Sequence, residues 1–116
     1  MTYIGDLKAA LHEVITNAIE SLACSKRPKV DRALSFAISL QEKKVLIEVS
    51  DNGGGFSDDA LANLFKLGKT TRNPREHVGM GLYVARRAMY ALGGDIIAEN
   101  RSAGCARVRL FIPNLE

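Results

Sequence analysis

The sequence is poor in several residues and patterns that mark particular protein classes. It has no tryptophan, two cysteines and only 6% aromatic residues. Cys24 and Cys105 lie far apart and have no metal-ligand spacing with either histidine, so we expect reduced thiols rather than a metal site. No apolar run approaches the roughly 20 residues of a membrane-spanning helix, and the start, MTYIGDLKAA, lacks a signal-peptide pattern. We therefore expect no direct membrane contact.

Charge and size limit the possibilities further. The net charge of +3 comes without a basic run and with few aromatic residues, so no nucleic-acid partner is predicted. With 47% apolar and 25% charged residues, the 116-residue chain has an ordinary globular composition. A chain of this length predicts one domain over residues 1–116, with a single two-layer core.

The first half of the chain predicts a helix and two strands. Pro28 ends a long amphipathic helix, and QEKK predicts a hairpin turn before the strand VLIEVS. Apolar residues at three- and four-residue steps place one helix face on a core: Ile4, Leu7, Leu11, Val14, Ile15, Ala18, Ile19 and Leu22. Alternation over Leu34, Phe36, Ile38 and Leu40 predicts a strand half-buried on one face.

The second half predicts a loop, two helices and a closing hairpin. Three adjacent glycines in DNGGGF indicate that the second strand ends before them, and Ser57 is the predicted N-cap of a short helix. A long polar loop at about residues 66–80 is expected to be functional or mobile. The helix LYVARRAMYAL ends at Gly93 and Gly94, before the strands DIIAEN and ARVRLFI. The prediction is an α+β two-layer sandwich, with helices on one face of a mixed or antiparallel sheet.

Three short stretches carry residue types suited to a nucleotide, although each has a simpler explanation. Asp51, at a strand end beside glycines, is a candidate acceptor for a purine amino group, or else a surface-turn residue. The stretch GMGL at 79–82 begins a helix where amides could meet phosphate, or else it is a hinge. Glu13 and Asn17 share a helix face, where an amide oxygen suits Mg²⁺ and a carboxylate suits proton transfer. The alternative for this pair is a solvated helix edge.

Together, these stretches supply the parts of a nucleotide site, since phosphoryl transfer needs mainly positioning and charge neutralisation. The loop between the Asp51 stretch and GMGL could close over the nucleotide. Its residues that could then meet phosphate oxygens, or could simply be solvated, are Lys69, Thr70, Thr71, Arg72 and Arg75.

The order of motifs resembles the GHKL superfamily of ATP-binding domains. The matching stretches, from about residue 7 to 113, are HEVITNAIES, DNGGGF, LFKLGKTTR, GMGLYVARRA and GCARVRLFIP. They resemble, in that order, the Asn box, the first glycine box, the Phe box, the second glycine box and the closing strand. LGG after the last helix and the final LFIP look most like the catalytic domains of sensor histidine kinases.

The resemblance implies a Bergerat-type ATP-binding fold with ATP and Mg²⁺ as ligands. By carry-over, Asn17 would bind Mg²⁺, Asp51 the adenine amino group, and Gly53 and Gly55 would lie against the base. Phe65 would anchor the lid formed by residues 66–80. The implied nucleotide-binding residues in the lid and the second glycine box are Lys69, Thr70, Thr71, Arg72, Gly79, Met80, Gly81 and Leu82, with Gly79 and Gly81 presenting backbone amides to the phosphates.

The activity implied is transfer of the γ-phosphate of ATP to a histidine on a separate dimerisation domain, with a response regulator downstream. The implied location is cytoplasmic, either alone or as the cytoplasmic part of a membrane-bound sensor. The chain departs from the family pattern at Glu13, where many histidine kinases have Asn, and at Ala106, where a Thr often lies. The strands that usually precede the first helix are also largely missing. Glu13 would be the general base, and pure hydrolysis stays open.

Two other functions are compatible with these residues. Glu13 and the small size permit a serine/threonine kinase of the anti-sigma-factor type. An ATP-gated interaction module without catalysis is the other. His12 and Thr16 resemble the box around a phosphorylated histidine, but Asn17 stands where that box continues into proline, and Asp51 follows within the same domain. We interpret the likeness as accidental and expect the phosphorylated histidine on another domain.

Overall fold

A computed structural model describes residues 4–65, 81–102 and 104–113. The predicted lid loop, at about residues 66–80, therefore lies outside the described residues. The elements in chain order are α1 Ile4–Ala23, a 3-10 turn Lys29–Asp31, β1 Leu34–Gln41, β2 Lys44–Gly54, α2 Asp58–Asn63, α3 Gly81–Ala91, β3 Asp95–Ser102 and β4 Gly104–Ile112. Among the described residues, no helix is both long and apolar enough to span a membrane.

The four strands form one sheet in the order β1-β2-β4-β3, and every neighbouring pair is antiparallel. The two hairpins account for this order, because β1–β2 and β3–β4 are each joined by a short turn and β2 then pairs with β4. The predicted two-layer α+β fold is confirmed, and of the two sheet arrangements considered, the described strands have the antiparallel one.

The core lies between the helices α1 and α3 and one face of the sheet. Alternate residues of β4 face the helices, while the residues between them lie on the outer face. Among the most deeply buried side chains are Val14 of α1, Leu82 and Met89 of α3, and Leu110 of β4. The remaining buried members of the cluster are Ala10, Ala18, Ile47, Val49, Ala85, Ala88, Leu92, Ile96, Val108 and Ile112.

The predicted start of α2 and end of α3 are confirmed, whereas α1 ends at Ala23, before Pro28. The Ser57 hydroxyl accepts a hydrogen bond from the Ala60 N–H at 3.0 Å, which caps α2. Past the end of α3, Gly93 has a φ of +80°, and the Gly94 N–H donates to the Met89 carbonyl at 2.8 Å. A residue in the left-handed region followed by this bond is the usual glycine termination of a helix.

The prediction that β2 ends before the glycines is wrong. β2 continues to Gly54, which pairs with Gly104 of β4, and the register shifts by one residue between Asp51 and Gly54. Glycine weakens a strand but still offers an N–H and a C=O to a neighbour, and here it lies beside a bulge. The bulge follows directly after Asp51, one of the predicted site residues.

The prediction that β1 is half-buried is also wrong. Phe36, Ile38 and Leu40 are 53%, 73% and 74% exposed, although their cross-strand partners Val49, Ile47 and Val45 lie on the helix-covered face. The reason is that α1 packs over β2 and touches β1 only weakly. The apolar alternation is real, but no described element covers it.

The outer face of the sheet is held by ion pairs across three strands. Arg107 and Arg109 of β4 each lie within 4.0 Å of both Glu48 of β2 and Glu99 of β3. The hydrogen bond from Arg109 is the main cause that holds the pKa of Glu99 below its usual range, with Arg107 contributing through a second hydrogen bond and its charge. These half-exposed pairs align three strands in register and add little to overall stability.

The turn between β1 and β2 contains two non-glycine residues with positive φ angles, so better turn residues should stabilise the protein. Glu42 and Lys43 have φ angles of +49° and +68°, which side-chain-bearing residues adopt at a cost of about 1 kcal/mol each. Because Asn-Gly suits such a two-residue turn, Glu42→Asn with Lys43→Gly is expected to raise the free energy of unfolding by about 1 kcal/mol. Urea denaturation measures this. Lys44→Gly, in the extended strand, is the control and should lower stability, and a double variant no more stable than the parent would contradict the expectation.

Candidate functional site

One stripe of α1 carries two of the predicted site residues, Glu13 and Asn17, and contacts β2 at Ser21. Glu13, Asn17 and Ser21 follow one another at four-residue steps, about 6 Å each along the axis of a helix. Asn17 is buried and Glu13 half-buried. The stripe ends at Asp51, because Ser21 is hydrogen-bonded to it.

Asp51 is a buried carboxylate held through one of its oxygens. It is 7% exposed and lies on β2 directly across from Ala106 of β4. The Ser21 hydroxyl donates to Asp51 Oδ1 at 3.0 Å, and the Gly53 N–H donates to the same oxygen at 2.9 Å. An ionised carboxylate only accepts hydrogen bonds, and a buried one is costly unless its acceptors are used. Its chemistry fits a ligand that brings a donor, such as a purine amino group.

The glycines after Asp51 allow close packing. A Cβ on Gly53 would collide with the Ser21 hydroxyl and lie 2.7 Å from the Ser21 carbonyl oxygen. Gly55 has a φ of +75°, and a Cβ there would lie 2.9 Å from Asn100 Oδ1. In the described residues, these two glycines therefore lie against α1 and β3.

Two asparagines fasten the segments around the site, and the sequence interpretation missed both roles. Asn100 Oδ1 accepts from the Phe56 N–H, and Asn100 Nδ2 donates to the Phe56 carbonyl, both at 2.8 Å. Asn52 holds the loop after α1 with a similar pair of bonds. Its Oδ1 accepts from the Ala33 N–H at 2.8 Å, and its Nδ2 donates to the Asp31 carbonyl at 2.7 Å. The only sequence signal for these two roles is the side-chain amide, which can replace a backbone hydrogen-bond partner. That signal is insufficient, because the role depends on which segment lies opposite the asparagine.

The residues that border the lid are placed only in part. Phe65 packs at the edge of the core, and the Arg86 guanidinium lies 5.3 Å from the centre of its ring, which fits the role of a fixed lid base. Gly81 is the first residue of α3. The Leu82 side chain is fully buried in the core, so only its backbone is placed to meet a ligand. Lys69, Thr70, Thr71, Arg72, Arg75, Gly79 and Met80 lie outside the described residues.

Two further predictions concern the residues that could hold Mg²⁺ and the position of His12. Within 4–65, 81–102 and 104–113, no three His, Cys, Asp or Glu residues come together as a metal site. Mg²⁺ in nucleotide sites keeps several waters and takes few protein ligands beside the phosphates, so an Asn17 oxygen on the stripe fits that role. His12 is exposed on α1.

The sequence is similar to a known family and to known sensor proteins. Residues 3–116 match the model of the histidine kinase-, DNA gyrase B- and HSP90-like ATPase family. The C4-dicarboxylate transport sensor protein DctB of Pseudomonas aeruginosa is 35% identical over 91% of this chain and 17% of its own length. The sensor protein FixL of Bradyrhizobium diazoefficiens is 33% identical over 92% of this chain and 20% of its own length.

Solved structures share the fold. Full-length ShkA in complex with AMPPNP superposes with a TM-score of 0.75 at 23% identity, over 94% of this chain and 21% of that one. The histidine kinase AdeS of Acinetobacter baumannii superposes with a TM-score of 0.70 at 21% identity, over 96% of this chain and 47% of that one. The chain belongs to the family of histidine kinase-, DNA gyrase B- and HSP90-like ATPases, which confirms the resemblance. It spans about a fifth of the length of the two sensor proteins.

Proposed function

We propose that the chain is the ATP-binding catalytic domain of a sensor histidine kinase, which binds Mg-ATP and transfers the γ-phosphate to a histidine on a separate dimerisation domain. The observation that carries this proposal is the polar stripe of α1 that ends on the buried, hydrogen-bonded carboxylate of Asp51. The family and the sensor proteins among its relatives support the choice of histidine as acceptor.

The order of groups along the stripe matches the order of parts in the nucleotide. Asp51 beside Ser21 would accept the adenine amino group, and Asn17, one turn earlier on α1, would contribute an oxygen to Mg²⁺ at the phosphates. Glu13, one turn further, would then be near the γ-phosphate end. Backbone amides at Gly79 and Gly81 and the hydroxyls of Thr70 and Thr71 are proposed to donate hydrogen bonds to phosphate oxygens. Lys69 and Arg72 are proposed to neutralise phosphate charge.

The chemical step would use this chain mainly for positioning. A histidine imidazole nitrogen forms a bond to the γ-phosphorus as the bond between that phosphorus and the bridging oxygen of ADP breaks. Glu13 is the proposed acceptor for the proton of the attacking imidazole, which would otherwise carry a positive charge. The proposed setting is cytoplasmic, with the acceptor domain in the same parent protein or in trans, and a response regulator that takes the phosphate next.

The test measures ATP binding and phosphate transfer to an acceptor domain. Calorimetry with ATP should show binding that Mg²⁺ strengthens. Incubation with γ-labelled ATP and the cognate histidine-bearing dimerisation domain should label that domain, and acid should release the label. An acid-stable label on a serine would support the anti-sigma-factor type of kinase instead. Tight binding without label on its cognate acceptor domain would overturn the kinase proposal and favour the interaction module.

A further inference from the structure

We infer that Ser21 is a positioning residue that orients the carboxylate of Asp51 and thereby strengthens recognition of an exocyclic amino group on the base. This inference rests on the proposed nucleotide function and deepens it. Ser21 lies on α1 and Asp51 on β2, 30 residues apart, and the hydroxyl-to-carboxylate bond is 3.0 Å long.

The contact controls the orientation of the carboxylate. The last torsion of an aspartate side chain is broad, so a single hydrogen bond to Oδ1 would allow the plane of the carboxylate to rotate. Here Oδ1 receives two bonds from different elements, one from the Ser21 hydroxyl on α1 and one from the Gly53 N–H on its own strand. Two donors on one oxygen hold the carboxylate plane, and the direction in which Oδ2 points is held with it.

The backbone around Ser21 keeps the hydroxyl in place. The position where a Gly53 Cβ would lie is only 2.7 Å from the Ser21 carbonyl oxygen, so β2 and the last turns of α1 are in direct contact there. Ser21 is half-buried, and its hydroxyl lies beside the glycine backbone. A small side chain with a donor is what this space admits.

The donors also determine what the other oxygen can recognise. Both partners of Oδ1 are donors, and Oδ2 of the carboxylate is the oxygen that can accept from a ligand. A base with an amino group complements that acceptor, whereas a base without one leaves a buried acceptor unpaired. Ser21 should therefore matter for the amino group and not for the rest of the nucleotide.

The experiment compares two ligands on matched variants. Calorimetry is run with Mg-ATP and with the triphosphate of purine riboside, which lacks the 6-amino group, on the parent protein, Ser21→Ala and the near-isosteric, weakly donating Ser21→Cys. Both variants are expected to bind ATP about 5- to 10-fold more weakly, with affinity for the analogue unchanged within about twofold. Ser39→Ala, on the exposed edge strand β1, is the control and should match the parent with both ligands.

Each other result has a distinct meaning. Equal weakening for both ligands would overturn the inference, because Ser21 would then only support the fold of the site. Unchanged ATP affinity in both variants would also overturn it. A folded parent protein that binds neither ligand would instead overturn the proposed function, and the inference with it. Thermal unfolding of each variant establishes that the protein is folded, and alanine in a helix favours this.

Discussion

Asp51→Asn is expected to abolish ATP binding in calorimetry, with an affinity loss of roughly 100-fold or more. The amide cannot serve both sides of the site. If its oxygen accepts from Ser21 and Gly53, its NH₂ group faces the adenine amino group, and two donors oppose each other. If the amide is reversed, its NH₂ group opposes the Gly53 N–H, and the Ser21 hydroxyl would have to change from donor to acceptor. Either orientation loses a charge-assisted bond and leaves buried donors unpaired.

The control for Asp51 is Asp95, the first residue of β3. Within the described residues, the Asp95 side chain accepts one hydrogen bond, from the N–H of its neighbour Ile96 at 2.7 Å. Asp95→Asn should therefore bind ATP as the parent does. Thermal unfolding should show that Asp51→Asn is still folded. ATP binding within threefold of the parent would mean that the base does not meet Asp51, and the proposed orientation of the nucleotide along α1 would have to be abandoned.

Glu13→Gln is expected to slow phosphate transfer to the acceptor histidine by 10²- to 10⁴-fold and to leave ATP affinity within about threefold. Glutamine keeps the size of the side chain but cannot accept the proton that the attacking imidazole loses. Because Glu13 is two helical turns from Ser21 on the same stripe, its replacement should not disturb the Asp51 carboxylate. Rates come from single-turnover labelling with γ-labelled ATP and a dimerisation domain, and affinities from calorimetry.

A glutamate far from the site serves as the control that separates the loss of the proton acceptor Glu13 from the loss of one negative charge on the protein. Glu42, exposed in the β1–β2 turn, gives the matched variant Glu42→Gln, which should transfer at the parental rate. If Glu13→Gln also transfers at that rate, Glu13 is not the proton acceptor. If Glu13→Gln also loses ATP binding, Glu13 contributes to holding the nucleotide. The stripe then does not divide into an end that binds adenine and an end that acts in catalysis.

Local patterns predicted most of the fold. The apolar spacing of α1 and α3, the Ser57 cap and the Gly93–Gly94 termination depend on residues within one or two turns of each other, so the chain itself carries the information. The same holds for the stripe of Glu13 and Asn17, since a four-residue step on a helix has one geometry. The family motifs are equally local, and their order along the chain predicted the superfamily.

Other features depend on which segment lies opposite, and there the local pattern was insufficient. The alternation in β1 predicted a buried face, but burial required a helix above it, and α1 lies over β2 instead. The glycines after Asp51 predicted the end of a strand, but pairing of Gly54 with Gly104 extends β2 through a bulge. Both errors arise because burial and strand pairing are properties of two segments and not of one.

The sequence by itself determined the helix stripe and the presence of a carboxylate beside glycines. Only the tertiary structure decided how that carboxylate is held. Ser21 reaches Asp51 across 30 residues, and Asn100 reaches Phe56 across 44. Hydrogen bonds over such separations form only when packing of α1 and the sheet brings the two groups within about 3 Å, and no spacing along the chain encodes that approach.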